Sequence, residues 1–192
     1  MAHSISKAFR TSKSDELYTP SILVQPIIKY VSNFKNSFIS KHGRQPIILC
    51  PFDTESSEFV QAFKNITTVK YGHINTGQDF FNYDYGDYDI CVSNPPFSRK
   101  LDVFKKLDET NKPWAMITNL MCLNYEEIGR YFSNNHDLQI LSFDRRISFD
   151  GNPSSFMSGY FCKNLLPRDL IFEKLENNNA KQYFIGSKMK TN

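Results

Sequence analysis

Asn94-Pro95-Pro96-Phe97 is the stretch of this chain whose residue types do chemistry together. Proline lacks a backbone N–H and restricts its φ angle, so two in succession leave the adjacent carbonyls without local donors and hold them still. Asn94 adds a side-chain carbonyl acceptor. Two acceptors held together suit a substrate bearing an NH2 group, one acceptor for each hydrogen. Accepting both favours a pyramidal nitrogen, whose lone pair is less delocalised into a ring and more nucleophilic. Phe97 offers a flat face to such a ring. Pro95-Pro96-Phe97 alone also reads as a turn capping a strand, with Phe97 in the core. Asn94 directly before it, and an apolar strand before that, favour the chemical reading.

The elements that must position this segment follow from periodicity. Thr19-Pro20 reads as a helix start, with Thr19 as N-cap and Pro20 at the first helical position. Leu23, Ile27, Val31, Phe34 and Phe38 then share one helical face, and His42-Gly43 ends it. Pro46 to Cys50 is a short apolar run of the buried parallel-strand type. Further strands are expected at Thr67 to Tyr71, Tyr88 to Val92, Trp114 to Thr118, Leu138 to Phe143 and, last, Phe156 to Cys162. Helices are expected over Ser56 to Lys64, around Val103 to Leu107, and over Tyr125 to Phe132. Such alternation implies an α/β fold with right-handed crossovers, a mostly parallel central sheet and helices on both faces. Ligands on such sheets lie beyond the carboxyl ends of the strands, which is where Asn94 falls.

Composition narrows the class. With 192 residues, 40% hydrophobic and 22% charged, the chain fits one globular domain and argues against general disorder. Residues 1–14 read as a flexible basic arm, and 15–192 as a single domain with no separate target-recognition domain. Net charge is +3, from 23 Lys and Arg against 20 Asp and Glu, which permits a nucleic-acid partner without requiring one. No apolar run approaches membrane-spanning length, and Met1 to Arg10 lacks the apolar core of a secretory signal. Cys50, Cys91, Cys122 and Cys162 form no Cys-x-x-Cys pair and read as small buried hydrophobes in a reducing cytoplasm. His42, His73 and His136 read as surface or loop residues, and no metal site is expected.

At Asn94-Pro95-Pro96-Phe97 the chain resembles the S-adenosylmethionine-dependent amino-methyltransferases, chiefly the small phage type of N6-adenine DNA methyltransferase. Other stretches match in the family's order, over about residues 15 to 165. Tyr18-Thr19-Pro20 resembles the element that touches the cofactor before the first helix, and Pro51-Phe52-Asp53 occupies the loop after the first strand. Asp79-Phe80 resembles the acidic-aromatic pair around the cofactor's adenine ring. Arg145 to Phe149 and Ser155-Phe156 resemble the late segment of the phage enzymes.

The resemblance implies a Rossmann-like methyltransferase fold and S-adenosyl-L-methionine as cofactor. It implies direct methyl transfer to the exocyclic amine of adenine in DNA, with the target base flipped or already unpaired. In that scheme Asn94 and the Pro95 carbonyl hold the amine and Phe97 stacks on the base. Tyr18, Thr19, Pro20, Pro51, Phe52, Asp79, Phe80 and Asn94 bind cofactor, and Asp53 or Glu55 engages its ammonium group. Lys7, Arg10, Lys13, Arg145 and Arg146 are the candidates for phosphate contact, against a solvated tail and an ordinary surface pair. Asp79 also reads as a turn carboxylate, and Tyr83, Tyr85 and Tyr88 as either a turn or a base-stacking surface. The implied setting is a phage protein in a bacterial cytoplasm that masks DNA from restriction, as monomer or homodimer. The same motif serves RNA base amines and the side-chain amide of glutamine. Two features depart from the family pattern. The loop Cys50 to Ser57 has no glycine, and Tyr71-Gly72-His73-Ile74-Asn75 has no acid where one usually takes the ribose hydroxyls. The first departure motivates a rival: a catalytically degenerate binding protein on the same scaffold, acting in phage counter-defence.

Overall fold

A computed structural model describes residues 18–134, 137–147 and 157–176. Its order is α1 (Ser21–His42), β1 (Ile47–Cys50), α2 (Glu58–Lys64), β2 (Thr68–Tyr71), β3 (Ile90–Ser93), α3 (Lys100–Glu109), β4 (Trp114–Asn119), α4 (Glu126–Asn134), β5 (Gln139–Phe143), β6 (Ser158–Lys163) and β7 (Leu170–Glu173). The seven strands form one sheet in the order β2-β1-β3-β4-β6-β5-β7. All neighbours run parallel except those of β6, which is antiparallel to both β4 and β5. The mostly parallel sheet expected from sequence is therefore present, with one reversed strand.

Alternation along the strands sends side chains to two apolar layers. Ile48, Cys50, Ile90, Val92, Ala115 and Ile117 face a core closed by α1 and α2. Leu49, Cys91, Trp114 and Met116 face a second core closed by Val103, Phe104 and Leu107 of α3 and Ile128 of α4. Both faces of β3 and β4 are thus covered, and every residue of these two strands is buried. All four cysteines are buried and free, two in each layer.

Two expectations need correction. Helix α1 starts at Ser21, with Pro20 as its N-cap in an extended conformation (ψ 146°) and no side-chain cap. The proline ring fixes φ but leaves ψ free, so Pro20 sits just outside the helix; the Leu23 amide bonds to its carbonyl at 2.9 Å. Thr19 is therefore not the cap. Second, the strand at 158–163 is not the last, because β7 follows it. Only Ile171 of β7 is buried while the equally apolar Leu170 and Phe172 are 53% and 71% exposed, so no polar-apolar alternation marks this strand.

β1 neighbours both β2 and β3, so the chain leaves β1 in one direction and returns on its other side. The order reverses between β1 and β3, and a crevice opens at their carboxyl ends. The link from β2 to β3 holds a short 3-10 turn (Ile74–Thr76) and crosses this edge, bringing residues 79–81 to the same crevice.

Candidate active site

The crevice is a cavity of about 360 Å³, within the range of small-molecule sites. Its walls come from five separate segments: Tyr18-Thr19 before α1, Pro51 to Asp53 after β1, His73-Ile74 after β2, Asp79 to Phe81 in the long link, and Asn94 to Pro96 with Ser98-Arg99 after β3. Asn94, Pro95 and Pro96 all line it, with Pro95 buried. Phe97 opens the 3-10 turn Phe97–Arg99 and lies outside the cavity wall, its ring 5.1 Å from the Lys100 Nζ. The segment that sequence marks for chemistry therefore divides into a carbonyl-bearing half facing the cavity and a ring beside it.

Of the residues matched to a cofactor, Tyr18, Thr19, Pro51, Phe52, Asp53, Asp79, Phe80 and Asn94 meet around this cavity; Pro20 does not. Asp53 is 6% exposed and accepts a hydrogen bond from the Ser93 hydroxyl. Burial pushes its carboxyl up to about 6, with hydrogen bonds from Ser93 and Ser57 pulling the other way. Glu55, the alternative to Asp53, points to solvent and pairs with Lys64 at 2.8 Å, away from the cavity. Asp79 is held by its own turn: Oδ1 accepts from the Phe81 amide at 3.1 Å and Oδ2 from Asn82 at 2.6 Å. The turn reading and the cavity reading of Asp79 both describe it.

The glycine-free loop is tied to the residue that follows β2. Asp53 N–H donates to the Gly72 carbonyl at 2.9 Å and Gly72 N–H donates to Cys50 at 3.2 Å, extending the β1–β2 ladder past both strands. A Cβ on Gly72 would stand 2.8 Å from the Tyr85 ring, so the absence of a side chain at this position lets Tyr85 pack against it. Tyr85 donates to the Gln78 carbonyl at 2.8 Å, with Pro51 O at 3.3 Å. Tyr85 is thus a structural strut. Tyr83 packs edge-on against it and is 44% exposed, while Tyr88 is half-buried under Lys112.

Sequence reasoning missed several cavity residues. His73, read as a surface or loop histidine, is only 9% exposed and lines the wall. Its Nδ1 accepts from the Asn75 amide at 3.2 Å, which leaves the ring proton on Nε2 in the neutral tautomer. Ile74, 61% exposed, presents an apolar side chain to the cavity shared with Phe52 and Phe80, which pack edge to face. Ser98 and Arg99 complete the rim. The available signal was position: His73-Ile74 stands one residue past β2, much as Asn94 follows β3.

The cations behave unequally. Arg145 donates to the Leu175 carbonyl and lies 3.6 Å from Asp144, turned toward the end of β7. Arg146 is exposed and does not line the cavity, and Lys7, Arg10 and Lys13 lie outside the described residues. Among the described residues there is no group of three potential metal ligands and no helix long and apolar enough to cross a membrane.

Among solved structures the chain is similar to a Listeria monocytogenes protein assigned to the class I S-adenosylmethionine-dependent methyltransferases. The TM-score is 0.50 at 9% identity, over 88% of this chain and 69% of that one. It is also similar, with a TM-score of 0.49 and 12% identity, to a modification subunit assigned to a type I restriction enzyme of Vibrio vulnificus YJ016, covering 93% of this chain and 52% of the other. No protein-family model matches the chain, and no curated protein matches it. The first likeness defines the architecture: a Rossmann-like methyltransferase fold.

Proposed function

We propose that this chain transfers a methyl group from S-adenosyl-L-methionine to the exocyclic amine of adenine in DNA. The carrying observation is that Asn94, Pro95 and Pro96, at the carboxyl end of β3, share one cavity with Thr19, Asp53, Asp79 and Phe80. The cavity's chemistry suits the cofactor. The Thr19 hydroxyl is buried in the wall without a hydrogen-bond partner, a state that a polar ligand relieves. Asp53 offers a buried carboxylate to an ammonium group, His73 a ring N–H to sugar hydroxyls, and Ile74 and Phe80 apolar surface to a purine. When bound, the cofactor supplies an electrophilic methyl on a sulfonium.

The chain's own part is positioning. Asn94 Oδ1 and the Pro95 carbonyl accept the two amine hydrogens and orient the lone pair toward the cavity. Pro96 contributes no competing donor, so the Pro95 carbonyl keeps its direction. Phe97, just outside the wall, stacks on the unpaired base. The loop carries no titratable base, and the surplus proton leaves to water.

Incubating the protein with methyl-labelled cofactor and, separately, DNA, RNA and protein acceptors tests this reading. Label is expected on adenine of DNA; label on RNA or on a glutamine amide reassigns the acceptor. The glycine-free loop after β1 favours a second reading, a binding protein without catalysis. Calorimetry with S-adenosylmethionine separates the two, since only the first requires a ligand-dependent heat and thermal shift.

A further inference from the structure

We infer that Arg99 holds a backbone phosphate of an unpaired nucleic-acid acceptor strand, so that the phosphate contact belongs to the turn after the catalytic loop rather than to Arg145. The inference rests on reading the Asn94 loop as the transfer site and adds the residue that selects the acceptor class. Arg99 ends the 3-10 turn that Phe97 begins, so the two Cα atoms lie within about 7 Å of each other. A base stacked on Phe97 brings its sugar-phosphate within reach of that side chain.

The guanidinium is already oriented. Its Cζ stands over the Phe81 ring at 3.5 Å from the centroid, and Lys106 fastens that platform by donating to the Phe80 and Phe81 carbonyls at 2.8 and 2.9 Å. Stacking fixes the plane of the fork and leaves its edge for a planar pair of oxygens. Its one ion-pair partner among the described residues is Asp102, met through Nε at 3.3 Å between two half-exposed side chains. That is a contact that water screens and that a phosphate can outcompete. From Arg99 to Lys106 the chain carries Arg99, Lys100, Lys105 and Lys106 against Asp102 alone, and of these cations Arg99 is the one that lines the cavity. Arg145 is committed to the end of β7 instead. A glutamine amide itself carries no anion for this fork, whereas every nucleotide of a strand carries one.

Fluorescence anisotropy of a single-stranded, adenine-containing oligonucleotide, titrated between about 50 and 200 mM salt, tests the assignment. Arg99→Ala is expected to weaken binding about tenfold and to lower the slope of log affinity against log salt by roughly 0.7, the value for one single-strand phosphate. Arg130→Ala, which removes a cation paired with Glu126 on α4, is expected to change neither. A cooperative thermal melt reports that Arg99→Ala is folded, and calorimetry compares its loss of cofactor affinity with its loss of strand affinity, the second expected to be the larger. An unchanged slope, equal effects from Arg99 and Arg130, loss of cofactor affinity in place of strand affinity, or no strand binding by the parent chain would each overturn the inference. If the parent binds the strand with the expected slope but not the cofactor, Arg99 keeps its role and the transfer reading fails instead.

Discussion

The two ends of the cavity are made rigid by different means. At the β3 end, rigidity is covalent: Pro95 and Pro96 restrict their own dihedrals, and one short sequence carries both the acceptors and their stiffness. At the β1–β2 end it is tertiary. Asp53 is fixed by Ser93, forty residues away, and by the Gly72 carbonyl, while Tyr85 braces Gln78 against Gly72. A site of the first kind survives in a peptide-sized motif. A site of the second kind exists only once the sheet has closed, and each of its parts looks ordinary in sequence. Substitutions at the two ends should therefore fail differently, the first in chemistry and the second in stability and ligand affinity.

The largest effect is expected from Asn94→Ala. Losing one of two amine acceptors should reduce methyl transfer by about 100-fold or more, with the melting temperature unchanged. Single-turnover kinetics beside a thermal melt checks this. A large drop in melting temperature would mean that the β3 end is also held by tertiary contacts and would erase the distinction drawn above.

Next in size is the pH response of Asp53. The folded chain keeps this proton to about pH 6, whereas a free carboxyl releases it near 3.8. Between those values the folded state binds the extra proton, so stability falls as pH rises through the window, by about 3 kcal/mol in full. Asp53→Asn should flatten that slope and raise the melting temperature at neutral pH, read by thermal denaturation at several pH values. The same ionisation serves ligand binding: a cationic ligand needs the carboxylate, so affinity for S-adenosylmethionine should decline as pH drops below about 6.

A smaller effect is expected at Gly72. Gly72→Ala places a methyl 2.8 Å from the Tyr85 ring and should cost about 1–3 kcal/mol through overpacking, with weaker cofactor binding. Tyr85→Phe keeps the ring and removes the hydroxyl's bonds to the Gln78 and Pro51 carbonyls, and should cost about 1 kcal/mol. Chemical denaturation of the pair sharpens the comparison, because their ranking separates the close approach from the hydrogen bonds.

Much of the fold could be read from sequence because its strands are short apolar runs at the centre of the sheet. Ile47–Cys50, Ile90–Ser93 and Trp114–Asn119 coincide closely with the expected segments. β7 escaped because an edge strand buries one side chain in four, and Pro20 misled because the ring that favours a first helical turn also fits the residue before it. In the site, Tyr18-Thr19, Pro51 to Asp53, Asp79-Phe80 and Asn94 to Pro96 were readable as ordered motifs, whereas His73, Ile74 and Arg99 were not. A histidine or an arginine acquires its role from what the fold packs beside it, and no local pattern encodes that.

By itself the amino-acid order determined the element sequence as far as β6, the two-faced apolar layering and the rigid carbonyl pair at Asn94-Pro95, since each depends on covalent restriction or on periodicity within a few residues. Tertiary structure alone decided that the strand order reverses between β1 and β3, that Asp53 rather than Glu55 faces the cavity, and that Gly72 lies against the Tyr85 ring. It also turned Arg145 away and left Arg99 at the rim. Those outcomes depend on contacts between residues far apart in the chain, whose free energy is realised only when both partners have been brought out of water together.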